Sequence, residues 1–318
     1  MNLKEYIFSC LPASQQDFLF SLKRFHFGKR KFPEKQILIM KVDGKHFHGG
    51  LADRLKGMIS LYHYCLIKGI GFRISHIYPF ELSDYLLPNE YDWQIKDSDN
   101  ITLHLLESKY FHLVGDGSIK RLAKLKTGKQ IHCYANRDYV ELLNEHYNTD
   151  FDWKFLFKKL FKPAPEIQQQ IDYHKQQIGG KFIACQFRFL ALLGDFNEYD
   201  DAALPKEEQQ ILIEKCLKTL AELKAKHNLP ILVTSDSATF TSLAQKLDGI
   251  YVLQSKPVHF DCVEDVNAHN YIDTFIDFFM LSEAQKTYNV FTKEMYKSEF
   301  SLYASKLNNV PFERIFIE

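Results

Sequence analysis

Apolar residues alternate along the chain between short branched runs and longer stretches with helical spacing, which is the pattern of an α/β protein. A short amphipathic helix is predicted within residues 1–22, with Phe18, Leu19 and Leu22 on one side. Strands are predicted at residues 36–42, 101–106, 130–134, 182–187, 231–235, 250–253 and 287–291. Helices are predicted at residues 51–68, 141–146, 153–161, 166–177, 206–227, 239–247, 271–284 and 300–307.

The segment FKPAP at residues 161–165 divides this pattern into two α/β halves. Paired prolines block both helix and sheet, so the segment is the best linker candidate. We therefore expect two Rossmann-like domains, residues 1–162 and 163–318, that face a central cleft.

Composition excludes several classes of protein. The chain has 318 residues, 46% apolar and 25% charged, with 40 basic and 40 acidic residues. A zero net charge argues against a nucleic-acid-binding chain, and no run is long and apolar enough to span a membrane. The six cysteines are scattered without a CxxC pair, which fits free thiols better than a zinc site. The N-terminus lacks the apolar stretch of a signal peptide, and we expect a cytoplasmic protein.

A basic and aromatic stretch follows the first helix, at residues 23–32 (KRFHFGKRKF). Such a mixture binds anionic membrane surfaces, which makes peripheral membrane contact one interpretation. The interpretation that we favour is a solvated basic face with the phenylalanines tucked beneath it.

Arg188 is the first candidate for a functional residue, because it ends the apolar strand that begins at Phe182. In open α/β sheets ligands bind beyond the carboxyl ends of the strands, and an arginine there requires an anion. Asp195 and Glu198 follow within ten residues. The alternative is an arginine–aspartate pair that only pins the loop.

The loop after the first strand is the second candidate, with His46, His48, Gly49 and Gly50 preceding the helix at residues 51–68. Paired glycines let backbone N–H groups approach an anion or a sugar at the helix N-terminus. The spacing matches neither the dinucleotide fingerprint nor the P-loop, and a plain tight turn is the simpler interpretation.

Four stretches together resemble the GT-B fucosyltransferase superfamily, which includes α1,2-, α1,6- and protein O-fucosyltransferases. They are GGLADRLKG at residues 49–57, CQFRF at 185–189, TSDSATFTSLAQKL at 234–247 and the long stretch at 274–307 that contains DFFMLS and SEFS. They occur in the family's order. The resemblance implies a GT-B fold and an inverting transfer of fucose from GDP-fucose to a glycan hydroxyl, with a lipid-linked glycan among the acceptors considered.

The resemblance also implies roles. Arg188 would neutralise the donor diphosphate, Asp277 would accept from guanine, and the turn of Ser298, Phe300 and Ser301 would hold the β-phosphate. Gln186 stands where a histidine is usual. The implied donor-binding set also includes Gly49, Gly50, Gln186 and Asp236.

A general base would have to lie within reach of the acceptor hydroxyl. Candidates are Asp195 and Glu198, or His46, His48 and Asp53 in the first half of the chain; these last three residues and Arg54 form the expected acceptor side. No metal or cofactor is implied, because an arginine performs the metal's task. Two alternatives remain open: transfer from another nucleotide sugar, and a non-catalytic protein that binds nucleotides or glycans.

Overall fold

The computed structural model describes residues 10–32, 36–115, 119–125, 128–195, 202–253, 260 and 269–318. The chain forms two compact units. The N-terminal unit comprises the residues up to Leu82 together with Leu87–Lys162, and the C-terminal unit comprises Ser83–Leu86 together with Pro163–Glu318. The chain passes from the N-terminal to the C-terminal unit between Lys162 and Pro163, at the boundary predicted from FKPAP. It also makes an excursion that was not predicted: Ser83–Leu86 belongs to the C-terminal unit, although the residues before and after it belong to the N-terminal unit.

The N-terminal unit is built on a parallel four-stranded sheet of order β2-β1-β5-β4. Its elements are α1 (Ala13–Arg24), β1 (Ile37–Val42), α2 (Leu51–Lys68), β2 (Gly71–His76), β4 (Ser108–Leu113), α3 (Lys120–Ala123), β5 (Gln130–Ala135), α4 (Val140–Tyr147) and α5 (Trp153–Leu160). The inner strands β1 and β5 are almost wholly buried, as expected of a parallel sheet covered by helices, whereas the edge strands β2 and β4 are partly exposed.

The C-terminal unit is built on a parallel five-stranded sheet of order β11-β10-β7-β8-β9. Its elements are α6 (Pro165–Gln177), β7 (Ile183–Phe187), α7 (Lys206–His227), β8 (Ile231–Ser235), α8 (Ala238–Ala244), β9 (Ile250–Val252), α9 (His269–Ser282), β10 (Thr287–Phe291), α10 (Phe300–Lys306) and β11 (Phe312–Phe316). Tyr85, from the excursion, stacks on Phe275 of α9 with ring centroids 4.6 Å apart.

Two predicted elements differ from the structure. Residues 101–106 form no strand beyond a bridge from His104 to His26, and the strand is β4 instead, because the polar groups of Thr102 and His104 bond locally within a turn. The predicted linker is ordered: β3 (Leu86–Pro88) and β6 (Phe161–Pro163) form a small two-stranded sheet, and Pro165 begins α6. Proline is tolerated at an edge strand and at the first position of a helix.

Helix α2 lies so close to β5 that it requires a glycine at position 57. A Cβ atom on Gly57 would stand 1.8 Å from the carbonyl oxygen of Ala135. Cys65 and Cys133, from the same two elements, are buried free thiols. None of the described helices has both the length and the apolar character that crossing a bilayer requires.

We expect Gly57→Ala to destabilise the N-terminal unit by about 1–3 kcal/mol or more, because the methyl group displaces α2 from the sheet. Helix propensity alone would give the opposite sign, since alanine favours a helix over glycine by roughly 1 kcal/mol. Denaturant unfolding followed by tryptophan fluorescence measures the effect, because both tryptophans, Trp93 and Trp153, lie in this unit. Gly128→Ala, where a Cβ meets nothing within 4 Å, is the control. Equal stability of the two variants would contradict the close approach.

Candidate functional site

The strand order of the C-terminal sheet reverses between β7 and β10. From β7 the chain builds outward through β8 and β9, and β10 then returns to the other side of β7. Ligands of open α/β sheets bind at such a switch point, beyond the carboxyl ends of the strands. The residues at the ends of β7 and β10, with the segments that follow them, are therefore the candidate site.

Arg188 follows β7 and is fixed by Asp236, the first residue after β8. Its Nε lies 3.3 Å from Oδ2 of Asp236, whose side chain is fully buried, while a fifth of the Arg188 side chain is exposed. Asp236 also accepts from the backbone N–H groups of Phe189 at 2.8 Å and Leu190 at 2.7 Å. Burial raises the pKa of Asp236, although Arg188 and these N–H groups oppose the rise. Asp236 thus holds Arg188 and the turn after it, while the Arg188 side chain stays partly exposed.

Gln186 links β7 to the start of α10. Its Oε1 accepts from the backbone N–H of Ser301 at 3.2 Å, and its Nε2 donates to Oγ of Ser298 at 3.3 Å. The same Ser298 oxygen accepts from the N–H of Phe300 at 3.2 Å. The two amides that the resemblance assigns to a phosphate are therefore bonded to protein side chains in this structure.

Three buried polar atoms around Gln186 have no hydrogen-bond partner among the described residues. They are Oγ1 of Thr234, Oδ1 of Asn289 and Oγ of Ser301. Thr234 and Asn289 lie directly beside Gln186 on the neighbouring strands, so the three side chains share one face of the sheet. Buried polar groups in proteins are nearly always satisfied, and each one left unsatisfied costs about 1–3 kcal/mol. This polar row is therefore suited to a polar ligand or ordered water.

Asp277 lines a cavity of about 290 Å³ between α6 and α9. Among the described residues, the cavity is lined by carboxylates from Glu166, Asp273 and Asp277 and by no lysine or arginine; the other described lining residues are Gln170, His174, Leu253, Ile272 and Ile276. Its chemistry favours a group that donates several N–H bonds and disfavours an anion. The residue after Asp277 packs on α10: the rings of Phe278 and Phe300 are 5.1 Å apart.

Asp195 has a structural task in this unit. Its Oδ2 accepts from Oγ of Ser237 at 2.8 Å and from the N–H of Thr239 at 2.6 Å, at the N-terminus of α8. A carboxylate there satisfies backbone groups that the helix leaves open. Glu198, the other predicted catalytic carboxylate, lies outside the described residues.

In the N-terminal unit, His46 and His48 belong to a buried network organised by Arg24. The guanidinium of Arg24 donates to both oxygens of Asp43 at 2.9 Å and lies 2.8 Å from Nδ1 of His46. Nε2 of His48 accepts from the backbone N–H groups of Asp43 and Gly44, both at 3.2 Å. Arg24 also lies 4.1 Å above the ring of Tyr110.

The potential ligand atoms of Asp43, His46 and His48 all lie within 4.8 Å of one another, a spacing that could hold a metal ion. The lone pairs that would bind a cation already accept N–H groups, and Arg24 places a positive charge beside them. The donor set therefore fits a hydrogen-bonded network better than a divalent cation.

The glycine loop before α2 is not an open turn, because the buried side chain of Arg54 is bonded to it. Arg54 is buried, and it donates to the carbonyl oxygens of Gly49 at 2.9 Å and Tyr78 at 2.7 Å and lies 3.0 Å from Nε2 of His76. Gly49 has φ +74, and a Cβ there would meet Asp53 at 2.5 Å. Asp53 is partly exposed and pairs with Lys56 at 2.6 Å, and the adjacent Gly50 has open space around it. These residues lie beyond β1, at the switch point of the N-terminal sheet between β1 and β5.

Sequence reasoning missed Arg24, Asp43 and Asn289. A polar Asn289 in the apolar run of β10 was a signal that could have been used. Arg24 lies in the basic stretch at residues 23–32, and the sequence predicts that it belongs to the same solvated basic face as its neighbours. Only the fold shows that it is buried and paired.

The fold has counterparts among solved structures. Arabidopsis thaliana FUT1, in a mutant form in complex with GDP, matches with a TM-score of 0.57 and 13% identity over 94% of this chain and 74% of that chain. The Bradyrhizobium alpha-1,6-fucosyltransferase NodZ matches with a TM-score of 0.55 and 12% identity when co-crystallised with GDP, over 86% of this chain and 92% of that chain. NodZ soaked with GDP-fucose gives 0.54 and 13%, over 86% and 93%. By sequence, no family model and no curated protein matches. The chain therefore has the GT-B-like fold of these fucosyltransferases.

We expect acid to destabilise the N-terminal unit, because this unit buries histidines in their neutral form. Burial lowers the pKa of His63 to about 4 and that of His132 to about 3, below the ordinary value of 6.5. Below about pH 6.5 these histidines therefore bind protons in the unfolded chain but stay neutral in the folded unit. Stability falls as pH drops from there towards the folded pKa, by about 2 kcal/mol per histidine at pH about 5.

Denaturant unfolding at a series of pH values, read by tryptophan fluorescence, measures this slope. His63→Phe should flatten it by up to one proton, whereas His146→Phe, at an exposed position of α4, should leave it unchanged. A stability that does not vary between pH about 7 and 5 would rule the explanation out.

Proposed function

We propose that this protein is an inverting glycosyltransferase that transfers fucose from GDP-fucose to a glycan hydroxyl. One observation carries the proposal: a partly exposed arginine, fixed by a buried carboxylate, stands beside unsatisfied polar groups at the switch point of the C-terminal sheet. Its fold is shared with fucosyltransferases solved with GDP and GDP-fucose.

Arg188 would stabilise the charge that develops on the departing diphosphate. Its planar fork grips two oxygens, and the Asp236 pair fixes it before the donor arrives. A positioned donor of this kind contributes several kcal/mol to the transition state. Ser301 Oγ and Asn289 would bind polar groups of the donor close by, while Gln186 keeps the start of α10 against the sheet.

The base of the nucleotide would enter the cavity that Asp277 lines. Guanine presents N1–H and N2–H groups side by side, and a carboxylate accepts both. Uracil offers one N–H on its pairing edge, and adenine offers only its amino group. A cavity whose described lining offers three carboxylates therefore favours guanine among the common bases.

The acceptor would be recognised by the N-terminal unit, through the loop that carries His46, His48, Gly49 and Gly50, with Asp53 and Arg54 on α2. His48 and Arg54 are buried and shape the loop, whereas Asp53 is accessible. Of the carboxylates proposed as general base, Asp195 bonds the N-terminus of α8, Asp53 is accessible beside Lys56, and Glu198 lies outside the described residues. The proposed chemistry requires no metal, since Arg188 carries the charge.

A second candidate is a non-catalytic protein that binds nucleotides. The observation that favours it is the engagement of the Ser301 and Phe300 amides by Gln186 and Ser298, which removes two donors from a phosphate. An assay of GDP-fucose hydrolysis in the absence of acceptor separates the two candidates. A catalytic site transfers some fucose to water, whereas a binding site transfers none.

We expect GDP to raise the melting temperature of the protein more than UDP or ADP at equal concentration. Asp277→Asn should weaken GDP binding by about 10- to 100-fold, because an amide replaces one acceptor with a donor. Isothermal titration calorimetry measures the affinities, and Asp172→Asn, an exposed change on α6, is the matched control. Equal shifts for the three nucleotides would remove the guanine assignment, and with it fucose.

Arg188→Ala distinguishes a donor-binding arginine from a loop-pinning one. Asp236 retains two backbone donors in the variant, so we expect a loss of stability of only about 1–3 kcal/mol. Transfer from GDP-fucose should fall by at least about 100-fold, and Arg188→Lys should not restore it. Arg314→Ala, at an exposed arginine of β11, is the control for both measurements. A folded Arg188→Ala that turns over normally would overturn the assignment.

A further inference from the structure

Helix α1 buries the polar side chains of Asp17 and Ser21 together with Phe20, and it leaves Phe18, Leu19 and Leu22 exposed to solvent. The buried side carries Asp17, which accepts from Arg121 at 2.8 Å and from the N–H of His112 at 2.9 Å. Ser21, one turn later, accepts from the N–H of Tyr110 at 3.2 Å. Phe18 is 58% exposed on the opposite side, and Leu22, one turn further, is also exposed. An ordinary surface helix buries its apolar residues on one side, whereas α1 buries only Phe20 among its large apolar side chains and exposes the other three.

The apolar surface continues beyond the end of α1. Of the three phenylalanines expected beneath a basic face, Phe25 is buried, but Phe27 is 73% exposed and Phe32 is 64% exposed. His26 exchanges backbone hydrogen bonds with Leu103 and Leu105. These bonds place Phe27 beside residues 103–106, of which Leu103 and Leu106 are themselves exposed.

Glu107 holds the second phenylalanine in place. Its carboxylate accepts from the backbone N–H groups of Lys31 at 3.0 Å and Phe32 at 3.3 Å, and from Nε of Arg30 at 3.0 Å. Phe32 adopts φ 48, a conformation that is unfavourable for a bulky residue. The Arg30 guanidinium lies 4.4 Å above its ring. A specific set of bonds therefore fixes Phe32 in an exposed position at a cost in backbone strain.

The exposed charges of residues 18–32 are all positive, whereas the Glu107 carboxylate that contacts this segment is buried. Lys23, Lys29 and Lys31 are exposed, and no acidic residue occurs from position 18 to position 32. The chain as a whole is neutral, so this is a local concentration of positive charge.

We propose that this interfacial patch, formed by the outer side of α1, residues 27–32 and the exposed leucines 103 and 106, binds the surface of an anionic lipid bilayer. Aromatic rings enter the boundary between headgroups and acyl chains, and lysines beside them pair with anionic headgroups. A second copy of the chain fits less well, because a two-fold contact sets the same lysines against one another. The inference goes beyond the proposed transferase activity and does not depend on it.

Co-sedimentation with lipid vesicles tests the inference on the full chain. We expect binding to vesicles of equal parts phosphatidylcholine and phosphatidylserine, and none to phosphatidylcholine alone. Raising the salt from about 0.1 M to about 1 M should weaken the binding, because the charge is screened. Lys29→Glu with Lys31→Glu should lower partition by at least roughly fivefold per lysine. Phe27→Ser with Phe32→Ser should lower it by about tenfold or more.

The control carries the same kinds of change on the other unit: Ile211→Ser with Lys218→Glu, both at exposed positions of α7. It should bind as the unaltered protein does, and tryptophan fluorescence checks that the N-terminal unit of each patch variant is folded. Failure to bind anionic vesicles, or binding that survives the patch substitutions, overturns the inference. So does a dimer in analytical ultracentrifugation that the same substitutions dissociate, because a second copy would then be the occupant.

Discussion

The buried carboxylate of Asp236 is the group on which the arrangement of the C-terminal site depends. It lies directly after β8 and accepts hydrogen bonds from two backbone N–H groups of the turn after β7. It also forms an ion pair with Nε of Arg188. A charge so deeply buried is stable only when several donors satisfy it at once. The same bonds that stabilise the aspartate therefore fix the arginine's orientation before any ligand is present. Preorganisation of this kind makes a charged side chain effective in catalysis, since no reorganisation accompanies the reaction.

The two units use buried polar groups in different ways. At the C-terminal switch point, Thr234, Asn289 and Ser301 each retain an atom without a hydrogen-bond partner in the described chain, which is an arrangement open to a ligand. In the N-terminal unit, Arg24 and Asp43 form a buried ion pair beside His46, whose ring contacts His112, although Nη1 of Arg24 and Nε2 of His46 also have no hydrogen-bond partner among the described residues. Desolvation keeps those histidines neutral, because burial lowers their pKa values. The first arrangement suits binding, whereas the second gives a rigid loop.

The sequence was sufficient for the elements whose apolar period is long and unbroken. Helices α2 and α7 and strands β8 and β10 have the predicted bounds, because burial alone sets their pattern. Residues 101–106 have the alternation of a strand, yet Thr102 and His104 use their polar groups in a turn. Arg188 was identifiable from its place at a strand end. Its partner was not, because Asp236 lies 48 positions away and only the sheet register brings the two together.

The excursion of the chain at Ser83–Leu86 constrains how this protein could have been assembled. Tyr85 belongs to the C-terminal unit, where its ring stacks on Phe275 of α9 and its carbonyl accepts from the N–H of Ala164. The helix that it supports is the one that carries Asp277. A gene fragment beginning at Pro163 would encode a C-terminal unit without this aromatic support. The C-terminal unit thus cannot be exchanged intact as residues 163–318 alone. Recombination at the proline-rich segment would separate the helix that carries Asp277 from the ring of Tyr85 that packs on it.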